Sequence, residues 1–291
     1  MSSVVEPGAA RKPPGAARPK STGPLPLRAE IVRQLRRRRT LGVFAVLVAL
    51  PLILIAAFSL AGEDGGPGPR SFVDLGQESG ANLTVFALFA STGFLVIVII
   101  ALFAGDSVPT EASWSSLRYL LAAPVPRTRL VRQKLITAAI FSTVSLVFLP
   151  AWSLLVGGIA YGFGPYIGPT GDQIGWPSFA GRLVIIVVYL LLSQLVVAAL
   201  AFAFGVWTDA PLGAVGGAVV IMIVLAILDT ISALGDLRQG LPGHYAYAWA
   251  DALAPRIDFS DMINGVLWSV GYAVVLTSAA LWHFLRKDIT S

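Results

Sequence analysis

Six long apolar runs constrain this chain more than anything else in it: Leu41–Ala61, Leu83–Ala104, Leu135–Val156, Leu183–Trp207, Leu212–Leu234 and Met262–Leu285. A bilayer core about 30 Å thick takes roughly 20 apolar residues in helical form to cross. Each run meets that length. Lipid supplies no hydrogen-bond partner, so such a segment must satisfy its own backbone as a helix. Pro51, inside the first run, predicts a kink there. Composition argues against a soluble alternative: 13% of the 291 residues are charged, about half the usual share of roughly 25% in soluble domains. Length alone would accommodate one or two soluble domains, but the runs leave no room for them. The fold expected is all-α and integral to the membrane, with six transmembrane helices over residues 41–285.

Charge sets the expected orientation. Lys and Arg before the first run, between the second and third, and after the sixth number thirteen, leaving out the far N-terminal tail. The alternate loops hold four: Arg70, Arg182, Arg238 and Arg256. Basic residues stay on the cytoplasmic side, so both termini are expected there, in the cell membrane. Residues 1–40 carry ten Lys/Arg against two Glu. Because this cluster abuts a span, it reads as a flank facing the lipid bilayer and not as a nucleic-acid-binding arm. Residues 1–24, rich in Pro, Ala and Gly and without periodicity, read as a disordered cytoplasmic tail. No cleavable secretory signal is expected, since the first apolar run begins only at residue 41. Within residues 25–40, Leu27, Ile31 and Leu35 recur at i, i+4 and i+8 with basic residues around them. That spacing predicts an amphipathic helix lying in the inner interface. Residues 286–291 are left as a cytoplasmic C-terminus.

The loops opposite the basic ones are more than linkers. Residues 157–181 mix Gly, Pro and aromatics and predict a compact loop at the interface. Within 235–261, the run HYAYAWADALA suits a segment lying flat at the surface or dipping into it, because Tyr and Trp favour that depth.

Motifs for chemistry are missing. There is no Cys, which removes disulfides and thiolate metal sites, and no H-E-x-x-H or G-x-S-x-G. The nearest approach to a phosphate-binding P-loop, PGAARPKS at 14–21, has Pro14 and Pro19 where Gly is required. No cofactor or metal is expected on this chain, and it does not read as an enzyme. Inside the spans the clear ionisable residue is Asp229, five residues from the end of the fifth run; an intramembrane acid marks a candidate substrate pathway. Gly213 and Gly217 form a small-xxx-small pair that lets helices approach closely.

The loop between the second and third spans carries the most information. From Gly105 it reads GDSVPTEASWSSLRYLLAAPVPRTRLVRQKL. Glu111 near the start of a short helix suits the helix dipole, Leu117, Leu120 and Leu121 share one face, and Pro124 and Pro126 break it. Arg127, Arg129, Arg132 and Lys134 then lead into the third span. An apolar helical face outside the bilayer needs a cover, which is the membrane surface, the protein's own spans or a groove on a partner.

At these residues the chain resembles the type-2 ABC transporter permeases, six-span subunits of exporters. Their loop typically reads E-x-x-x-G-T-L-R-x-L-L-x-x-P-V-S-R-x-x-L-x-x-x-K. Glu111, Leu117, Arg118, Leu120, Leu121, Pro124, Val125, Arg127, Leu130 and Lys134 fall on that pattern. Ser115 and Ser116 stand in place of its Gly-Thr pair, and Pro126 in place of its Ser. The six-span layout, the basic amphipathic start and the Phe-Leu-Arg-Lys-Asp ending also match. The resemblance implies that 106–134 holds a coupling helix that docks on a separate ABC ATP-binding subunit, and that 25–40 is a connecting helix. It further implies a complex of two permeases, alike or different, and two ATPases, with ATP and Mg on the ATPase subunits. The cargo would be hydrophobic or amphipathic, a drug or a lipid. The competing reading of the same layout is a six-span scaffold or sensor subunit without transport of its own.

Overall fold

The computed structural model describes residues 27–61, 72–105, 127–208 and 210–286. The tail 1–24 and the loop residues Glu111, Leu117, Arg118, Leu121 and Pro124 lie outside these, and with them the expected coupling helix.

The fold is built almost wholly of helices. Five are long and apolar enough to cross a membrane: Arg38–Leu60, Val131–Tyr161, Trp176–Thr208, Pro211–Asp229 and Ser260–Phe284. Two further helices, Gly80–Thr92 and Leu95–Gly105, pass the same test as a pair, bent by 60° at the break between them. In chain order the elements are α1 (Leu27–Leu35), α2 (Arg38–Ala61), α3 (Phe72–Gln77), α4 (Gly80–Thr92), α5 (Leu95–Gly105) and α6 (Arg127–Tyr161). A two-stranded antiparallel hairpin follows, β1 (Tyr166–Ile167) and β2 (Gln173–Ile174), in the register Tyr166 to Ile174. Then come α7 (Trp176–Ser193), α8 (Leu195–Thr208), α9 (Pro211–Asp229), two 3-10 helices (Ser232–Gly240 and Ala248–Leu253) and α10 (Ser260–Arg286).

α5 and α8 form the centre. Nearly every residue of α8 from Val196 to Val206 is buried, and so is most of α5. The alanines of α8 let α5, α9 and α10 come close around it. α6 packs along α4 and α2 on the other flank. The outer helices leave large apolar side chains uncovered, among them Val220, Ile223, Val224 and Ile227 on α9 and Ile263, Leu267 and Val274 on α10. Contiguous exposed apolar surface of this kind is what a membrane protein presents to lipid.

Several expected boundaries move. α2 runs unbroken through Pro51, with the Trp152 indole donating to the Val48 carbonyl one turn earlier, at 3.1 Å. The run Leu83–Ala104 is not one helix. It breaks at Gly93, where the hydroxyls of Ser91 and Thr92 both turn back to the Leu88 carbonyl (3.2 and 2.7 Å). The run 183–207 is interrupted at Gln194, and the fifth helix stops at Asp229 rather than at Leu234. Gly213 and Gly217 both face α8 within the chain: a Cβ on Gly217 would stand 3.2 Å from the Phe204 ring.

One end of the bundle holds α1 and the start of α6; the other holds the β-hairpin and the 3-10 segment. At the hairpin end, Asn82 of α4 clamps β1 through its side chain. Its amide donates to the Ile167 carbonyl (2.8 Å) and accepts from the Ile167 N–H (2.9 Å). The loop expected over 157–181 is shorter, because α6 runs on to Tyr161 and α7 starts at Trp176, leaving 162–175 to hold the hairpin.

Candidate functional site

Two places gather polar side chains against the apolar bundle. The first is at the α1 end. The Lys134 ammonium sits 2.7 Å from Glu30 Oε1, and Arg33 lies 2.9 Å from the same carboxylate. Glu30 and Gln34 are the buried residues of α1, while Leu27 and Leu35 are exposed and Ile31 half-buried. The helix therefore turns Glu30 and Gln34 to the protein with Ile31 packed against the core beside them, and leaves Leu27 and Leu35 uncovered. Burial raises the Glu30 carboxyl, but Lys134 and Arg33 together outweigh it and hold the group below the ordinary carboxylate range. Of the residues expected in a coupling role, Arg127 is the first residue of α6, and Lys134 lies two turns further along.

The second place is a cavity of about 370 Å³ near the hairpin end, within the size range of small-molecule sites. Both helix breaks open onto it: Gly93 between α4 and α5, and Gln194 between α7 and α8. At 1.5 Å per residue, each break lies roughly 20 Å from the α1 end of its helix, short of the roughly 30 Å that a bilayer core would span. Non-helical backbone at such depth is tolerated where it is buried in protein or lines a cavity. The second break is closed from across the bundle by Ser269 of α10. Its hydroxyl accepts from the Val196 N–H (3.1 Å) and faces the Leu192 and Ser193 carbonyls at 3.0 and 2.8 Å. Val196 opens α8, so Ser269 satisfies one of the amides that a helix start leaves unpaired.

The cover of the cavity is the stretch from Leu241 to Tyr247. The aromatic-rich segment dips inward instead of lying flat: Trp249 is fully buried, its ring 4.4 Å from Phe89 of α4. Arg182 of α7 ties the segment down through the Ala252 carbonyl at 3.0 Å and the Ala254 carbonyl at 2.5 Å. Tyr272 donates to the Gly240 carbonyl (2.6 Å), and the Tyr189 hydroxyl donates to the Tyr245 carbonyl. Burial, then the nearby Asp261 and Asp258, raise the Asp251 carboxyl above its ordinary range. Asp229 ends α9 at the cavity wall, where His244 Nδ1 meets its Oδ1 at 2.5 Å.

The family model described as a protein of unknown function, DUF2705, matches residues 42–290. The chain belongs to the DUF2705 family. No curated protein and no solved structure matches it. The DUF2705 match opens inside α2 and runs past α10, so it takes in every wall of the cavity as well as Lys134, while α1 and Glu30 precede it.

Sequence reasoning found one cavity residue of this DUF2705 chain, Asp229. It missed His244, which stands 15 positions away and meets Asp229 only because the 3-10 segment folds back. It also missed Gln194, although this is the one amide in the apolar run 183–207. Gln194 is buried, and its Oε1 meets no hydrogen-bond partner among the described residues. Among the described residues no three His, Asp or Glu side chains converge as a metal site would require.

Proposed function

We propose that this DUF2705 protein is the membrane-spanning permease subunit of an ATP-driven ABC exporter. The reading is carried by the loop residues Glu111, Leu117, Arg118, Leu120, Leu121, Pro124, Val125, Arg127, Leu130 and Lys134, which fall on the type-2 permease loop pattern in order and spacing. In this reading the bent pair α4–α5 counts as one span, giving six, and both termini face the cytoplasm. Residues 106–134 then dock on a separate ATP-binding subunit, which brings ATP and Mg, and two permeases frame the path of a hydrophobic or amphipathic cargo.

The α1 end supports this assignment. A connecting helix must lie on the inner membrane surface and still transmit force to the bundle. α1 turns Leu27 and Leu35 outward, where lipid can take them. Its polar face is pinned by Glu30 to Lys134, eight residues after Pro126. Motion in the docking loop would therefore reach α1 and α6 together through one ion pair.

The test is charge reversal in the loop. Arg118 can bond a partner carboxylate in bidentate fashion, and losing one member of a desolvated interfacial pair costs on the order of 2–5 kcal/mol. Arg118→Glu touches no span, so the permease should still insert. Co-purification with its ATPase, or stimulated ATP hydrolysis, should fall sharply. A full complex with full stimulated hydrolysis would remove Arg118 from the coupling role. Failure of the wild-type chain to retain any P-loop ATPase would favour the scaffold or sensor reading.

A further inference from the structure

We propose that the elbow between α1 and α2 is a binding site for an acidic phospholipid. Arg36 and Arg38 hold its negatively charged headgroup, and an acyl chain lies along the outer face of α2. Residues 27–41 carry six Arg and one acid, Glu30. That acid is already spent: its carboxylate meets Lys134 at 2.7 Å and Arg33 at 2.9 Å, with its side chain buried. No further Asp or Glu occurs before the end of α2 at Ala61. Arg28, Arg36 and Arg38 are exposed, and no carboxylate among the described residues pairs with them. Neighbouring guanidinium groups repel, and a bound anion relieves that repulsion. The backbone favours an anion at the same place. α1 stops at Leu35 and α2 starts at Arg38, so Arg36 and Arg37 make the turn. The first turn of α2 holds no acidic residue, which leaves the positive end of its dipole unanswered within the helix.

Shape decides between a lipid and a soluble anion. After Arg38, Leu41, Ala45 and Leu52 follow on the same face of α2, all exposed. At 1.5 Å per residue the stripe runs roughly 20 Å from Arg38, longer than half of a bilayer core about 30 Å thick. Leu35, the last residue of α1, adds another exposed apolar side chain beside the arginines. A phosphate or a nucleotide would leave these side chains bare, whereas a phospholipid covers both the charged and the apolar part. Charge then decides among lipids. A zwitterionic headgroup brings its own ammonium to a surface that already has an excess of cations; an anionic one brings none. The far end of the bundle has the opposite sign, with five Asp against two Arg over residues 229–261.

The site lies on α1 and α2, so the proposal does not rest on the export reading. The probes are phosphatidylglycerol, phosphatidylcholine with the same acyl chains as the zwitterionic match, and glycerol phosphate as the headgroup without chains. The purified full chain is released for native mass spectrometry from a non-ionic detergent holding equal amounts of the two lipids. It should retain phosphatidylglycerol at least about fivefold more often than phosphatidylcholine. An excess of glycerol phosphate should not displace it. Arg36→Gln combined with Arg38→Gln should abolish the preference. Arg256→Gln, at an exposed position beyond the second 3-10 helix, should leave it unchanged. Equal retention of the two lipids by the parent chain would overturn the proposal without any variant. Displacement by glycerol phosphate would overturn it in favour of a soluble anion, and retention of neither lipid in favour of an acidic partner protein. A double variant that elutes like the parent and keeps the parent's preference would place the lipid away from the elbow and overturn the assignment as well. None of these outcomes bears on the Arg118→Glu test, so the two readings fail separately.

Discussion

Gly80 and Gly158 meet backbone to backbone: a Cβ on Gly80 would lie 2.5 Å from the Gly158 amide nitrogen and 2.8 Å from its Cα. The contact fixes how closely α4 lies against α6, and it is reinforced by the Gly80 N–H donating to the Gly162 carbonyl at 2.9 Å. Small residues at helix crossings do this in membranes, where packing replaces the hydrophobic drive.

The first prediction follows from that contact. Backbone atoms cannot swing aside as a side chain can, so Gly80→Ala should cost at least the 1–3 kcal/mol or so typical of overpacking. Gly42, also helical, has nothing within 4 Å of its Cβ position. Gly42→Ala should therefore stabilise, by about 0.5–1 kcal/mol from helix propensity alone. Thermal unfolding of the two variants in one detergent should give shifts of opposite sign. A Gly80→Ala melting point equal to that of the parent would mean the two helices do not approach as described.

Glu30 and Lys134 set the second. Their side chains are 6% and 11% exposed, so the pair is closer to a buried ion pair than to a surface pair, which is worth roughly 0–1 kcal/mol. Glu30→Gln should cost about 1–3 kcal/mol, the range for leaving a charged partner poorly met. The pH dependence has a definite sign. The folded carboxyl titrates below its ordinary value of 4.5. Its stabilising contribution is therefore complete above that value and is lost as pH falls through the lower folded one. Melting points recorded from pH 7 down to pH 3 should show this acid loss in the parent. The difference between parent and Glu30→Gln should shrink across the same window; a constant difference down to pH 3 would exclude Glu30 as its source.

How much of this was legible beforehand divides along physical lines. The long apolar helices were, because roughly 20 apolar residues in a row admit few other fates. The helix α1 was legible from its spacing, but not the inward Glu30, whose partner lies 104 positions away. The breaks at Gly93 and Gln194 were hidden for a related reason. Their surroundings, ALFASTGFLVIV and LLLSQLVV, are as apolar as any unbroken helix. What meets each break from elsewhere is Ser269, bonded to the backbone at one, and at the other Tyr247, whose hydroxyl stands 2.5 Å from where a Gly93 Cβ would be. The inward dip of Trp249 is set by Arg182, far off in sequence. Asp229 stood out as an acid in an apolar run, while its partner His244 belongs to a loop that local pattern could not place.

Ser269 supplies the third prediction. Removing its hydroxyl leaves the Val196 N–H without the acceptor now 3.1 Å away. Side-chain hydrogen bonds across membrane helices average about 0.6 kcal/mol and reach roughly 1.7. This one also closes a helix start, so Ser269→Ala should fall at the upper end. Hydrogen exchange should locate the effect: amides at 195–197 should exchange faster in the variant, and those in the middle of α6 should not. Unchanged exchange at 195–197 would show that another group closes the break.

The last prediction concerns which way the bundle faces. Thr170 lies in the exposed turn between β1 and β2, its hydroxyl 2.6 Å from Asp172 Oδ2. Ser116 belongs to the basic loop at the opposite end of the spans. Thirteen Lys and Arg flank the spans on the Ser116 side and four on the Thr170 side, an asymmetry from which the basic side is expected in the cytoplasm. With no native Cys to give background, Thr170→Cys in intact cells should react with a membrane-impermeant maleimide. Ser116→Cys should react only after the cells are opened. The opposite pattern would put the docking loop outside, where no ATP-binding subunit could reach it, and would remove the export reading together with the orientation. Labelling at both positions in intact cells would instead mean a leaky or mixed preparation, which a cytosolic Cys-bearing reporter in the same cells identifies by reacting as well.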